Sequence, residues 1–210
     1  MSVNPPHAIL LIATGCAHCP VVMDALMKLI KQGKLRSIEV FNIQFEQTIA
    51  KQEGVRQVPW VKINEFAFTG KLTEQELAYW AKTSQQDNAK TLYFSWLIEN
   101  QAVDTVITWL NKQPEDFNFI CDLVLDKETP MAVRIGLNII FESFESSPFL
   151  EPTITLLSQN LNQQPANIRG DICYYLGLSH QAETQLKAFL NDENADVREI
   201  VEEALNINQT

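Results

Sequence analysis

Two of the four cysteines lie three residues apart, in the run Cys16-Ala17-His18-Cys19-Pro20. The thiolate, rather than the thiol, attacks a disulfide, and it is favoured where free backbone N–H groups converge at a helix start. Cys16 stands just before a segment with helical periodicity, residues 20–32, and Cys19 is near enough to close a small ring. Cys16 is therefore the candidate attacking thiol and Cys19 the candidate resolving thiol. His18 lies between them. As a cation or hydrogen-bond donor it would favour the Cys16 thiolate and make the disulfide more oxidising. The same pair could supply half of a zinc site, which needs four ligands, or half of a cluster shared by two chains. Cys121 and Cys173 stand beside Ile120 and Ile172 in helical stretches and read as core thiols. His7 and His180 have no ligand-type neighbours. A single close pair favours redox over metal chemistry, with no metal expected.

The surrounding pattern supplies a frame for such a pair. Residues 8–13 form a short apolar run suited to a buried strand, broken by Thr14-Gly15. In the helix that follows, Val22, Leu26, Leu29 and Ile30 mark the apolar face; Pro20 suits its first turn and Gly33 its end. Residues 38–43 alternate as a strand, and 45–53 suit a short helix ended by Gly54. Val58-Pro59 precedes a strand at 60–64 and another at 66–69. Thr73-Glu74-Gln75-Glu76 carries a capping-box signature and opens a third helix. The order is β-α-β-α-β-β-α, with parallel pairing across the first crossover and an antiparallel hairpin at the edge.

Over about residues 7–82 the chain resembles the thioredoxin superfamily. The strand before the motif, the Cys-X-X-Cys-Pro run and Val58-Pro59 before the hairpin carry the resemblance. Residues Val61 to Gly70, with Leu72-Thr73-Glu74, look most like small glutaredoxin-like domains, and the whole is similar to the N-terminal module of the alkyl hydroperoxide reductase flavoprotein. The resemblance implies that Pro59 is cis and shapes the site, and that the backbone of Val58 pairs with a substrate chain. Ala17 and Pro20 support the pair, and Trp60, which follows Pro59, is a candidate for lining the substrate groove, although packing is its simpler role. Two features depart from the family. The strand Ile9-Leu10-Leu11-Ile12 lacks the buried carboxylate of thioredoxins proper. Thr69-Gly70-Lys71-Leu72 stands where glutathione-binding glutaredoxins often carry Gly-Gly and Asp, so glutathione use does not follow.

The polar stretch Ser84 to Asn88 marks a boundary between residues 1–85 and 86–210. The formal charge is +2 in the first part and −12 in the second. An overall charge of −10 argues against nucleic acid as a partner, because phosphate binding needs clustered Lys and Arg. Eight helices are predicted in the second part: 89–100, 101–112, 114–126, 130–144, 149–163, 165–178, 181–190 and 194–206. Ala132-Val133-Arg134, Asn167-Ile168-Arg169 and Asp196-Val197-Arg198 recur near helix starts, with Glu128, Gln163 and Asp192 each six positions earlier. The segment Leu186 to Arg198 resembles a HEAT repeat, and that resemblance implies an Arg–acid ladder between stacked helix pairs. The expected fold is an α/β thioredoxin-like domain followed by an all-α HEAT-like helical-repeat domain.

No run approaches the ~20 apolar residues of a membrane helix, nor the form of a signal peptide, so a cytoplasmic location is expected, with no membrane partner. There a close cysteine pair is more readily catalytic or metal-binding than structural. The expected function is thiol–disulfide exchange on a protein disulfide or dithiol, with Cys16–Cys19 as the redox group and no separate cofactor. The helical half is expected to hold a protein partner. The alternative is a non-catalytic adaptor that keeps the thioredoxin fold.

Overall fold

No residue of the first strand, β1 (His7–Ile12), is exposed, and the adjacent Leu10 and Leu11, which point to opposite faces, are both fully buried, as a strand covered on both faces requires. In the computed structural model, which describes residues 4–179 and 182–207, β1 lies inside a four-stranded sheet of order β2-β1-β3-β4. It pairs in parallel with β2 (Ser37–Asn42) and antiparallel with β3 (Trp60–Ile63), which pairs with β4 (Phe66–Thr69). Helices α1 (Cys19–Lys31), α2 (Thr48–Gln52) and α3 (Glu74–Thr83) complete the order β-α-β-α-β-β-α.

Register assigns each face its core. Ala8 and Leu10 oppose Ile63 and Val61, which oppose Phe66 and Phe68, and all six are buried. The Trp80 ring of α3 lies 6.2 Å and 5.0 Å from those two phenyl rings. Helix α1 packs beside α3 and buries Val22, Ala25, Leu26 and Leu29. On the other face Leu11, Trp60 and Ala50 of α2 form a smaller cluster. The capping box is present at α3: Glu76 N–H donates to Thr73 Oγ1 at 3.2 Å, and Thr73 N–H donates to Glu76 Oε2 at 2.7 Å. Helix α2 is shorter than the expected 45–53, because the N–H groups of Phe45 and Glu46 turn back onto Asn42 O.

The chain divides into two compact units, one running to Ala89 and the other from Lys90. Among the described residues the second unit is helical: α4 (Ala89–Glu99), α5 (Val103–Lys112), α6 (Phe117–Leu125), α7 (Met131–Ser143), α8 (Leu150–Asn160), α9 (Ala166–Gly177), α10 (Glu183–Lys187) and α11 (Ala195–Ile207). Residues Pro114–Asp116 and Leu161–Gln163 form 3-10 turns. Helix α10 is half its expected length, since the N–H groups of Ala188, Phe189 and Leu190 bond three residues back and tighten the chain into turns. Helices α5 and α7, α7 and α9, and α9 and α11 pack against each other, as do α6 and α8. Gly177 permits the α9–α11 contact, because a Cβ there would meet the Ala204 Cβ at 2.6 Å.

The three recurring arginines have one local role. Arg134 donates to Asp126 O, Arg169 to Gln164 O and Arg198 to Asp192 O, each closing the turn before its own helix. Of the three positions six residues before them, only Asp192 carries a side-chain rung, accepting two bonds from Arg169 at 2.9 Å and 2.7 Å. Glu128 and Gln163 are exposed, and Arg134 instead reaches forward to Asp171 at 2.9 Å. The partners thus lie on the following helix pair, which a search upstream of each arginine misses.

Candidate functional site

Cys16 and Cys19 are joined as a disulfide with Cα atoms 5.5 Å apart. The geometry begins at Gly15, whose φ of 79° turns the chain out of β1 at little cost for a residue without Cβ. Cys16 N–H then bonds back to Ala13 O at 3.2 Å. Cys19 is the first residue of α1, His18 is its N-cap, and Pro20 occupies the first turn. His18 gives no side-chain cap. Cys19 N–H donates instead to Cys16 Sγ at 3.1 Å, so sulfur takes the position of a capping acceptor. An anion on that sulfur would face the positive end of a 13-residue helix.

Exposure separates the two thiols. Cys19 is 4% exposed, Cys16 is half-buried, and Ala17, His18 and Pro20 are exposed around it. Only Cys16 is open to an incoming disulfide.

The Val58–Pro59 bond is cis. Leu11 pairs with Trp60 in the antiparallel β1–β3 register, so continuing it by one residue sets Pro59 opposite Ile12, at the end of β1 that leads into the cysteines. Pro59 is buried and its carbonyl accepts from Gly70 N–H at 2.8 Å, while Val58 is half-buried. Trp60 is 5% exposed and packs with Leu11 and Ala50, so its ring serves the core and does not line an open groove.

Asn42 completes the site and was not singled out by motif. It pairs with Ile12 at the end of β2, and its Nδ2 donates to Thr14 Oγ1 at 3.1 Å. Ile43 N–H also reaches Ile12 O at 2.9 Å. The edge strand therefore ties down the loop that carries Cys16. A polar residue closing an otherwise strand-like run was the available signal.

The remaining candidates lie apart. His7 Nδ1 shares a 2.7 Å hydrogen bond with Ser37 Oγ, and Nε2 lies 3.4 Å from Glu39. Cys121 and Cys173 are fully buried, and burial foremost pushes both thiols up to about 12, with Asp122 and Asp192 adding to it respectively. His180 lies outside the described residues. Among the described residues no three His, Cys, Asp or Glu side chains gather in a metal-binding group, and no helix is long and apolar enough to cross a membrane.

Residues 7–82 match the family described as a thioredoxin domain. The match spans β1 through most of α3 and so contains both cysteines and the cis proline. A search of curated proteins finds no match for the chain.

Proposed function

We propose that the protein catalyses thiol–disulfide exchange through Cys16 and Cys19. The reading rests on one observation: a disulfide at the head of α1 in which Cys16 is accessible and Cys19 is covered. In the reduced form the Cys16 thiolate is stabilised by Cys19 N–H and the helix start. It attacks one sulfur of a substrate disulfide. The Cys16–substrate bond forms, the substrate S–S bond breaks, and the released thiolate takes a proton from solvent. Cys19 then attacks Cys16 Sγ, closes the internal disulfide and releases the second substrate thiol. Two electrons and two protons pass to the substrate, and a dithiol reductant restores the pair.

Supporting roles follow from position. Pro59 shapes the floor beside the pair, half-buried Val58 offers its backbone to a substrate strand, and exposed His18 tunes the thiolate. The substrate is a protein disulfide, and a reducing compartment such as the cytoplasm suits this work.

The helical unit is read as HEAT-like and as a partner-binding surface. Three arginines at equivalent positions, each closing the preceding turn, and the Arg169–Asp192 rung support this.

Trapping tests the exchange reading. Cys19→Ser should hold a protein substrate as a mixed disulfide released by dithiothreitol, whereas Cys16→Ser should hold none. Equal trapping by both variants would refute the assigned roles.

A further inference from the structure

Helix α7 displays an unusual solvent face. Met131, Ile135 and Ile139, spaced by four, are 71%, 57% and 46% exposed. A soluble surface seldom aligns three large apolar side chains, and such a stripe marks a contact face. One turn on, Glu142 accepts a 2.6 Å hydrogen bond from the Tyr174 hydroxyl of α9. Tyr174 in turn lines a pocket of about 250 Å³ between the C-terminal ends of α7 and α9 and the flank of α11. Of the pocket's lining, Asn138 belongs to the same helix as the stripe and Glu145 follows its end.

The pocket has an apolar floor and an acidic rim. Leu178, Ile200 and Ala204 form the floor, and Glu145 and Glu203 stand at the mouth. Both carboxylates are exposed and neither forms an ion pair among the described residues. Burial foremost, then the hydrogen bond to Glu142 and the charges of Glu142 and Glu145, push the Tyr174 hydroxyl up to about 12.

We infer that the α7–α9–α11 face binds a basic amphipathic segment of a partner protein. Its apolar side lies on Met131, Ile135 and Ile139, and a Lys or Arg side chain enters the pocket. The aliphatic stem of that side chain meets the apolar floor while its cation meets Glu145 and Glu203. The −12 charge of residues 86–210 steers such a segment and disfavours an acidic one. This inference rests on reading the helical unit as a partner-binding surface, and it specifies the site and the partner's chemistry.

The test uses the full chain and a fluorescein-labelled synthetic helix of Leu and Lys, with Leu at three- and four-residue spacing. A Leu/Glu version and a scrambled Leu/Lys version serve as comparisons. Fluorescence anisotropy should show binding of the Leu/Lys helix, weakened by salt, and much weaker binding of the others. Glu145→Gln with Glu203→Gln should weaken binding ~10-fold, and Ile135→Ser similarly. The charge-matched Glu99→Gln with Glu115→Gln should leave it unchanged. Reduction of a disulfide substrate should be unaffected in all these variants. If both double variants weaken binding equally, bulk charge explains it and the inference fails. If the Leu/Glu helix binds this face instead, partner binding stands and the basic partner is wrong. If no helix binds, the inference fails, while the partner-binding reading, which rests on the repeated arginines and the Arg169–Asp192 rung, stands.

Discussion

Cys19 N–H donates to Cys16 Sγ at 3.1 Å, so the Cys16 sulfur caps the helix that begins with its own disulfide partner. The contact couples helix formation to thiolate stability, since the N-cap side chain His18 provides no acceptor. Reactivity should divide accordingly. After reduction of the native protein, iodoacetamide should modify Cys16 first and Cys19 much more slowly. Cys121 and Cys173, buried with thiols pushed up to about 12, should react only on unfolding. Mass spectrometry of timed samples gives the order, and early labelling of Cys121 or Cys173 would contradict it.

Asn42 acts at a distance on the same loop. Asn42→Ala removes the bond to Thr14 Oγ1, a loss of about 1 kcal/mol in stability. Exchange should slow as well, ~3-fold or more, because the loop carrying Cys16 is held less firmly. Asn42→Asp, which keeps an acceptor but loses the donor, should behave more like Ala than like the parent. Stopped-flow exchange with a small disulfide measures this.

The Arg134–Asp171 and Arg169–Asp192 pairs should respond differently to loss and to pH. Hydrogen bonds from Arg169 foremost hold Asp192 below its ordinary 3.8. Its side chain is 6% exposed, so Asp192→Asn should cost about 3 kcal/mol at neutral pH. A lowered carboxylate stabilises the fold above its unfolded value and loses that contribution as pH falls through the folded value. The difference between parent and variant should therefore shrink as pH drops below 3.8. Asp171 moves the other way: burial outweighs Arg134 and raises it. Its charge is a burden in the fold, relieved as pH falls through the raised value, so Asp171→Asn should cost about 1 kcal/mol or less at neutral pH. Thermal unfolding across this pH range distinguishes the two.

Close approach of α9 and α11 should be reversible by exchange of one methyl group. Gly177→Ala brings a Cβ to 2.6 Å from that of Ala204, which forces the helices apart at a cost of about 1–3 kcal/mol. Adding Ala204→Gly should recover much of the loss, and additive losses in the double variant would contradict the steric account.

The order of elements was readable because local signals agreed. A continuous apolar run marks β1, the Pro59 break sets β3, and the Thr73–Glu76 box starts α3 where it should. The thiol pair was readable because its spacing is local too. What escaped depends on contacts between distant segments. Asn42 faces Thr14 only because β1 and β2 run in parallel register, and Arg134 finds Asp171 only because α7 and α9 stack. Trp60 follows Pro59 in sequence, yet strand alternation turns its ring into the cluster with Leu11 and Ala50. The exposed stripe of α7 has ordinary helical spacing, and only the packed neighbours show which of its apolar residues stay outside.

Equilibration of the full chain with dithiol buffers of graded potential, followed by thiol labelling and mass spectrometry, tests the central claim most directly. The account predicts a reversible two-electron transition confined to Cys16 and Cys19, at about −270 to −200 mV, as in thioredoxins and glutaredoxins. A pair that stays as free thiols throughout, or a transition that involves Cys121 or Cys173, would contradict it.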